Sequence, residues 1–380
     1  MRPMRHETGP EAPSVTPRDA VRRALAPFAT VNTTRAVGDF LLDYALYFGA
    51  LAGVLFLAPL WAKLLCGVFA GVKIANLATL GHDAAHGNLA RSPRLNRLLG
   101  IFCFLPGLYS YQLWIYDHHH VHHPFTNGRH KDSWTPLSKQ AFDRLPRHRQ
   151  WLERFYRNEW GLGLAAYYII ERWWDVKFIP RAFLPRRFRA AAWRHFAYVM
   201  AWFTGLIALL AAAPAYSPTG PLVAILFGFV LPFFAWQTLF SFTVYVQHTH
   251  VNIAWFDGAI DRKEAIPIEQ LSLHLAVPRW FGLIAHDVYD HAAHHVNPRI
   301  PYHRLRDAQA RLNEISADHA VRQGFSFRWL HDTLRRCKLY DYEHNLWLDF
   351  DGRPTAPSPI GPAQRAVIAR TPGTEFVPQA

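Results

Sequence analysis

Histidine is the residue type whose number and spacing in this sequence could do chemistry. The chain has 380 residues and contains 22 histidines, and the neutral imidazole is the commonest side-chain metal ligand in proteins. Most of these histidines gather in four clusters, at residues 81–86, 117–123, 247–250 and 286–295. Such clustering indicates metal binding, provided that the spacing brings the imidazoles together.

The spacing within three of the clusters places histidines on a common helix face, because residues three or four apart share a face. His82 and His86 are four apart. Two clusters contain the pattern HxxHH: His119, His122 and His123 in one, and His291, His294 and His295 in the other. These boxes supply eight imidazoles, and His248, which directly follows an apolar run, would be a ninth. Because one ion takes at most about six ligands, this number predicts two metal ions.

Imidazole ligation alone leaves the identity of the metal open, since iron, zinc, copper and nickel all suit it. The first box reads HDAAH and lacks the glutamate of the HExxH metalloprotease motif, so that general base is absent. The other histidines near the boxes are predicted to be bystanders: His118, His120, His130, His250, His286 and His303.

Four long apolar runs must position these boxes, at about residues 40–60, 64–81, 196–213 and 222–246. Each is close to the roughly 20 residues that a helix needs to cross a bilayer. The second run contains Lys73 and Asn76. An unpaired charge near the bilayer centre costs about 3 kcal/mol, so Lys73 must lie near an interface or face a polar interior.

The distribution of arginine predicts which side of the membrane carries the histidines. Segment 213–220, between the last two runs, has no lysine or arginine, whereas the N-terminus, segment 87–194 and the C-terminus are rich in arginine. By the positive-inside rule, these three arginine-rich regions face the cytoplasm. The sequence thus predicts an all-α integral membrane protein of the inner or cytoplasmic membrane. Its four transmembrane helices form two hairpins, capped by a cytoplasmic helical domain that holds a histidine-ligated di-metal site.

The expected organisation has three parts. Residues 1–37 form an N-terminal cytoplasmic segment, disordered to about residue 15 and then a short basic helix that Thr16 caps and that ends at Leu25. Residues 38–310 form the membrane domain. Residues 311–380 form a C-terminal cytoplasmic segment, with a loose tail from about residue 352.

The composition limits which cellular compartment and which binding partners are expected. The net charge of +13 suits nucleic acid or an anionic membrane leaflet, and the apolar runs favour the leaflet, so no nucleic-acid partner is expected. Three cysteines without a CxxC pair fit a reducing compartment. The first residues are polar and proline-rich, so we expect no cleaved signal peptide.

The three boxes resemble those of the membrane fatty acid desaturase superfamily, and within it the omega-6/omega-3 acyl-lipid branch. That branch carries an HDxxH box and two HxxHH boxes, in the order found here. The phrase YVQHTH at residues 245–250 is similar to the family's segment after its last span, where the histidine that follows glutamine completes the metal shell; here it is His248. The resemblance covers about residues 38–310. Box one has Ala84 and Ala85 where Cys-Gly is frequent in the family.

The resemblance implies an oxygen-dependent oxidoreductase that inserts a double bond into the acyl chain of a membrane lipid or a fatty acyl thioester. It implies two iron ions and O2 as co-substrate, with no catalytic side chain beyond the metal ligands. Because the sequence has no haem-attachment motif, flavin motif or iron–sulfur cysteine set, electrons must come from an external ferredoxin-type or cytochrome-type protein. An acidic donor would suit the basic cytoplasmic face.

Two alternatives remain at this point. The same metal core could hydroxylate or ketolate a lipid or carotenoid, and a histidine-rich membrane protein could transport metal, although a transporter would place polar ligands along its spans.

Two further groups of residues near the boxes are candidates for supporting roles. Asp83, Asp117 and Asp290 could orient imidazoles or merely cap helices, and Trp114, Tyr116 and Phe125 could line an acyl tunnel or lie at the membrane interface.

Overall fold

Helices dominate the fold in the computed structural model, which describes residues 17–129, 132–181, 184–257 and 266–370. In chain order the helices are α1 (Pro17–Leu25), α2 (Thr33–Phe56), α3 (Leu60–His86), α4 (Pro93–Phe104), α5 (Tyr111–Tyr116), α6 (Lys139–Asp143), α7 (Arg147–Tyr156), α8 (Leu164–Tyr167), α9 (Arg186–Ala211), α10 (Pro221–His248), α11 (Arg279–Ile284), α12 (His291–Val296), α13 (Tyr302–Ile315), α14 (Phe327–Arg336) and α15 (Pro362–Arg370). The described chain also has three π-helical segments. Asp117–His122 follows α5, Tyr168–Phe178 follows α8, and Leu226–Val230 interrupts α10. Short 3₁₀ turns lie at Ala26–Phe28, Ala213–Ala215 and Ile268–Gln270.

Four helices of the described chain, α2, α3, α9 and α10, are long and apolar enough to cross a membrane by length and composition. Helices α3 and α10 contain the expected runs 64–81 and 222–246, whereas α2 and α9 begin before the runs 40–60 and 196–213 and end a few residues short of them. The ends have local causes. The Asn32 side chain accepts a hydrogen bond from the Arg35 backbone N–H and so caps α2, and Gly87, with φ of 75°, ends α3 in the left-handed conformation that glycine adopts without strain.

Helix α3 lies close to α10 because its glycines leave room for backbone contact. A Cβ on Gly67 would lie 2.6 Å from the carbonyl oxygen of Phe227, and one on Gly71 would lie 2.8 Å from that of Pro232. Small residues permit such close approach between membrane helices. This packing fixes the C-terminal end of α3, which carries the first box, against α10, which ends at His248.

The charge inside the second apolar run is paired, as expected for a lysine that faces a polar interior. Lys73 Nζ lies 3.0 Å from Asp43 Oδ1 of α2, and both side chains are buried. The other oxygen of Asp43 lies 2.6 Å from His286 Nε2, and Asn76 donates to the Ile284 carbonyl. The loop before the third box is therefore tied to the middle of α2 and α3.

The expectation of an all-α protein is wrong in one detail, since the polar part contains two small sheets. Strand β1 (Leu273–Ala276) pairs in parallel with β2 (Val321–Gly324), and β3 (Leu339–Asp341) pairs antiparallel with β4 (Leu346–Leu348). These strands have three or four residues each, which is too short for an alternating apolar pattern to distinguish them from loops.

The described terminal segments contain one helix that was predicted and one stretch that differs from the prediction. Helix α1 is present at Pro17–Leu25, and Leu25 is buried against Ala292 and Ala293 of α12. The tail beyond residue 352 is not loose up to residue 370, because Thr355 bonds to Trp347 and to Arg336, and α15 follows. The predicted disorder at the N-terminus and the last ten residues of the predicted tail lie outside the described chain.

Candidate metal centre

The four histidine clusters meet at the polar ends of the apolar helices. Box one occupies the last turn and a half of α3, box two lies in the π-helical segment after α5, His248 is the last residue of α10, and box three is α12. Eight histidines form two groups, within each of which one ligand atom per residue lies within 4.8 Å of the others. The first group comprises His82, His86, His118 and His294, and the second His122, His248, His291 and His295.

In the first group the Nε2 atoms point at one another. His82 Nε2 lies 3.1 Å from His294 Nε2, and His86 Nε2 lies 2.9 Å from His118 Nε2. His123 joins them, with its Nε2 at 2.9 Å from that of His118, 3.2 Å from that of His294 and 3.3 Å from that of His86. Five imidazoles therefore face one locus.

The second group has the same arrangement with four imidazoles. His291 Nε2 lies 2.9 Å from His295 Nε2 and 3.2 Å from His248 Nε2. The ring of His122 lies 4.9 Å from that of His248 and 5.0 Å from that of His295. The two groups are neighbours, since the rings of His123 and His295 are 5.0 Å apart.

The second box differs from the expected pattern in one residue. The structure places His118 in the first group, whereas His119 lies outside both groups, with its ring 4.5 Å from that of His86 and its buried Nε2 without a hydrogen-bond partner. The reason is local geometry. A π-helix is wider than an α-helix and bonds residues five apart, so His118 shares a face with His122 and His123 across the segment Asp117–His122.

Three of the grouped histidines present their Nδ1 atoms to hydrogen-bond acceptors. His122 Nδ1 lies 2.8 Å from Asp132 Oδ1, His82 Nδ1 lies 3.1 Å from Asp83 Oδ1, and His248 Nδ1 lies 3.3 Å from the carbonyl oxygen of Leu271. An imidazole that donates from Nδ1 keeps the lone pair on Nε2. These contacts therefore set the tautomer that aims a lone pair at each locus.

No sequence signal pointed to Asp132, and of the three candidate carboxylates the structure brings one to a grouped histidine. Asp132 follows the second box by nine residues in a loop, where no helical spacing links it to His122. Asp117 pairs with Arg172 and Lys177, and Asp290 pairs with His274, so neither contacts a grouped histidine directly. Of the three expected carboxylates, only Asp83 does so.

Most of the histidines expected to be bystanders lie in other surroundings. His120 packs on Tyr116 and Phe188, His250 on Trp329, and His286 on Asp43. His303 is absent from both groups, and its Nδ1 is buried without a hydrogen-bond partner. His130 lies outside the described residues.

The protonation of the imidazoles follows from their burial. Burial, and then the neighbouring histidines, hold the pKa of His118, His123, His291, His294 and His295 well below the ordinary value. For Asp132, burial raises the pKa, but His122, His248 and the backbone N–H of Asn127 together outweigh burial and leave the pKa of the carboxyl below its usual range. At neutral pH these five imidazoles are therefore neutral, the form that binds metal.

This donor set fits two divalent transition-metal ions. Several Nε2 atoms of neutral imidazoles lie 2.9–3.3 Å apart. A pair of such nitrogens can form a hydrogen bond only if one of them carries a proton, so most of these lone pairs have no hydrogen to accept. A cation at each locus would satisfy them together, and imidazole suits iron.

The comparison with protein families decides the identity. The family model described as "Fatty acid desaturase" matches residues 55–327, which is most of the chain. The chain belongs to the fatty acid desaturase family. It is an oxygen-dependent desaturase, an oxidoreductase of lipid metabolism, and the metal-transporter alternative is set aside.

Curated relatives place this desaturase in the omega-6/omega-3 branch. It is 26% identical over 323 residues to an sn-1 oleoyl-lipid 12-desaturase of Picosynechococcus sp., which covers 83% of this chain and 87% of the relative. It is 25% identical over 342 residues to a chloroplastic omega-6 fatty acid desaturase of Spinacia oleracea, covering 87% and 71%. An sn-1 acyl-lipid omega-3 desaturase (ferredoxin) of Synechocystis sp. is 27% identical over 299 residues, covering 76% and 77%.

A mostly apolar cavity of about 200 Å³ lies among α3, α10 and α11 of this desaturase and borders the histidine groups. The grouped histidines that line it are His82, His118, His122, His248, His291 and His294. Its apolar walls include Val72, Ala75, Ala78, Trp114, Leu239, Phe240, Val244, Phe281, Ile284, Val288 and Tyr289. Of the three aromatic candidates, Trp114 lines the cavity, whereas Tyr116 and Phe125 are not among its described lining residues.

Proposed function

We propose that this desaturase inserts a double bond into an acyl chain of a membrane glycerolipid, using two iron ions held by the two histidine groups. One observation carries the proposal: two adjacent sets of converging imidazoles border an apolar cavity. The first iron would be held by His82, His86, His118, His123 and His294, and the second by His122, His248, His291 and His295.

When bound, the two irons supply the oxidising power that removes hydrogen from an unactivated methylene at the expense of dioxygen. The overall reaction removes two hydrogen atoms from adjacent carbons and reduces O2 to two waters, which requires two more electrons and two protons. The chain's described motifs contain no redox group, so an external electron carrier supplies the electrons. We infer a ferredoxin-type protein, because a relative is named for ferredoxin.

The protein's own contribution is positioning and exclusion of water. A saturated methylene has no polar handle, so selectivity depends on how the cavity holds the chain. The walls offer apolar side chains from α3, α10 and α11, such as Val72, Phe240 and Ile284. Asp132 and Asp83 hold the imidazoles of His122 and His82 in the tautomer that faces the locus.

The proposed placement in the membrane follows from the charge distribution. Helices α2 and α3 would cross as one hairpin, and α9 and α10 as another, with both termini and the histidines on the cytoplasmic side of the inner or cytoplasmic membrane. Contacts between α2 and α3 agree with a hairpin, since Lys63 near the start of α3 bonds to the Val54 carbonyl near the end of α2, whereas Lys73 meets Asp43. The arginine-poor segment 213–220 would face the opposite side.

The relatives' names favour a monounsaturated acyl chain as substrate, with the new double bond on the methyl side of the existing one. The test is expression in a bacterial host that makes monoenes but no dienes, followed by mass spectrometry that locates double bonds. We expect dienes in the glycerolipid fraction, and none from His294→Ala, which should still insert into the membrane. Oxygenated lipids without a new double bond would instead support the hydroxylase alternative.

A further inference from the structure

A second opening reaches the histidines from the polar side of the molecule. It is a surface depression of about 830 Å³ beside helix α1, and His86 is the only grouped histidine among its described lining residues. The apolar cavity is lined by six other grouped histidines and not by His86. The first histidine group therefore borders two cavities. His82, His118 and His294 line the apolar cavity, and His86 lines the polar depression.

The depression is electropositive. Arg22, Arg23 and Arg299 line it and are exposed, with Asp19 as the one acidic residue among its described lining residues. Within residues 17–129, 132–181, 184–257 and 266–370, none of these three arginines forms an ion pair. Three exposed cations against one carboxylate give the depression a net positive charge, which attracts acidic partners.

The charged rim is fixed to the histidine boxes rather than carried on a loose arm. Helix α1, which carries Arg22 and Arg23, buries Leu25 in a cluster with Ala292 and Ala293 of α12, the helix of the third box. Arg299 follows the third box by four residues. At the floor, Asn88 is buried and donates to the Pro298 carbonyl, which ties the end of the first box to the segment after the third, while its Oδ1 has no partner.

We propose that this depression is the docking surface for the electron-carrier protein, an acidic one-electron carrier of the ferredoxin type, and that electrons enter at the edge of the His86 imidazole. Two docking events per turnover deliver the two electrons that dioxygen reduction requires. This inference rests on the proposed function. It adds to that function a location, a set of contact residues and a point of entry that is separate from the substrate path.

The separation has a physical reason. A protein docked over the apolar cavity would compete with the lipid substrate, whereas one docked at the depression leaves the cavity open to the membrane. The electrostatic attraction is long-range, so it raises the association rate of an acidic partner and weakens as salt screens it.

The test compares two triple variants with the same change in net charge. The first is Arg22→Glu, Arg23→Glu and Arg299→Glu. The control is Arg144→Glu, Arg147→Glu and Arg322→Glu, three exposed arginines that line neither the depression nor the apolar cavity. Binding of an acidic plant-type ferredoxin to each protein in lipid nanodiscs is measured at low and at high salt. We expect the depression variant to raise Kd by about ten-fold or more at low salt and to lose most of its salt dependence, with less than about a two-fold change in the control.

Two further readouts separate this proposal from the proposed function. Iron content is measured in each variant, and product is measured after chemical reduction with dithionite followed by a single addition of O2. We expect both to be unchanged in the two triple variants. Equal weakening of ferredoxin binding in both variants, or none in either, would overturn the docking site. Absence of iron and of dithionite-supported product in the unaltered protein would instead overturn the proposed function.

Discussion

Two buried polar clusters lie about two helical turns apart along α3, and they differ in how their atoms are satisfied. In the cluster of Asp43, Lys73, Asn76 and His286, each charged atom faces an opposite charge or a hydrogen-bond partner, with Lys73 Nζ at 3.0 Å and His286 Nε2 at 2.6 Å from the two oxygens of Asp43. In the histidine groups, nitrogens face nitrogens at 2.9–3.3 Å. The polar atoms of one cluster are satisfied within the protein, whereas the lone pairs of the other converge as metal ligands do.

The difference separates a structural role from a functional one. A buried ion pair with all partners present needs no ligand, although removing one member leaves an uncompensated charge. A set of converging lone pairs is unfavourable until a metal occupies it. Polar residues inside membrane spans can by themselves indicate a transport path. Here Asp43, Lys73 and Asn76 instead hold α2 and α3 against the loop before the third box.

The largest effect is expected when His118→Ala is compared with His119→Ala, because His118 belongs to a histidine group and His119 does not. His118→Ala removes an imidazole whose Nε2 lies 2.9 Å from those of both His86 and His123. We expect loss of detectable diene and of about half of the iron, measured by product analysis and by inductively coupled plasma mass spectrometry. His119→Ala is the matched control and should keep most of both. The reverse result would show that the helix is not π-helical at this point when metal is bound.

The second-largest effect is a loss of stability, expected in the cluster of Asp43, Lys73, Asn76 and His286. Asp43→Asn leaves Lys73 buried without its carboxylate, and we expect it to lower the free energy of unfolding by about 3–5 kcal/mol, measured by unfolding in mild detergent. The folded fraction should keep its iron content. The double variant Asp43→Asn, Lys73→Met removes both charges and should recover much of the lost stability. Loss of iron from folded Asp43→Asn protein would show that the two clusters are not independent.

The smallest effect tests the support of the second histidine group. Asp132→Asn removes the carboxylate that accepts from His122 Nδ1 at 2.8 Å, and we expect iron affinity to fall by about 10–100-fold, measured by iron release to a chelator. Asp290→Asn is the control, because Asp290 contacts His274 rather than a grouped histidine. If the two variants release iron at the same rate, Asp132 does not act through His122.

Much of this architecture could be predicted from the sequence because its causes are local. Long apolar runs predict the long helices, and the need to pair Lys73 follows from the cost of burying a charge. The boxes on α3 and α12 follow α-helical spacing, so His82 with His86, and His291 with His294 and His295, were found by counting residues.

The remainder depends on features that counting does not detect. The choice between His118 and His119 depends on a π-helical segment, whose wider turn has no clear sequence signal. The carboxylate at Asp132 and the docking of α1 on α12 through Leu25 arise from tertiary contacts between distant or loop residues. Strands of three or four residues, such as β1 and β3, are fixed by their neighbours rather than by their own pattern.

The most direct test of the two-group account is the number of iron ions per chain in purified protein of measured activity. The account predicts two irons per chain at full activity, about one after His118→Ala or His248→Ala, and diene formation that disappears when either iron is lost. Full desaturase activity from a preparation with a single iron per chain, or with none, would contradict it.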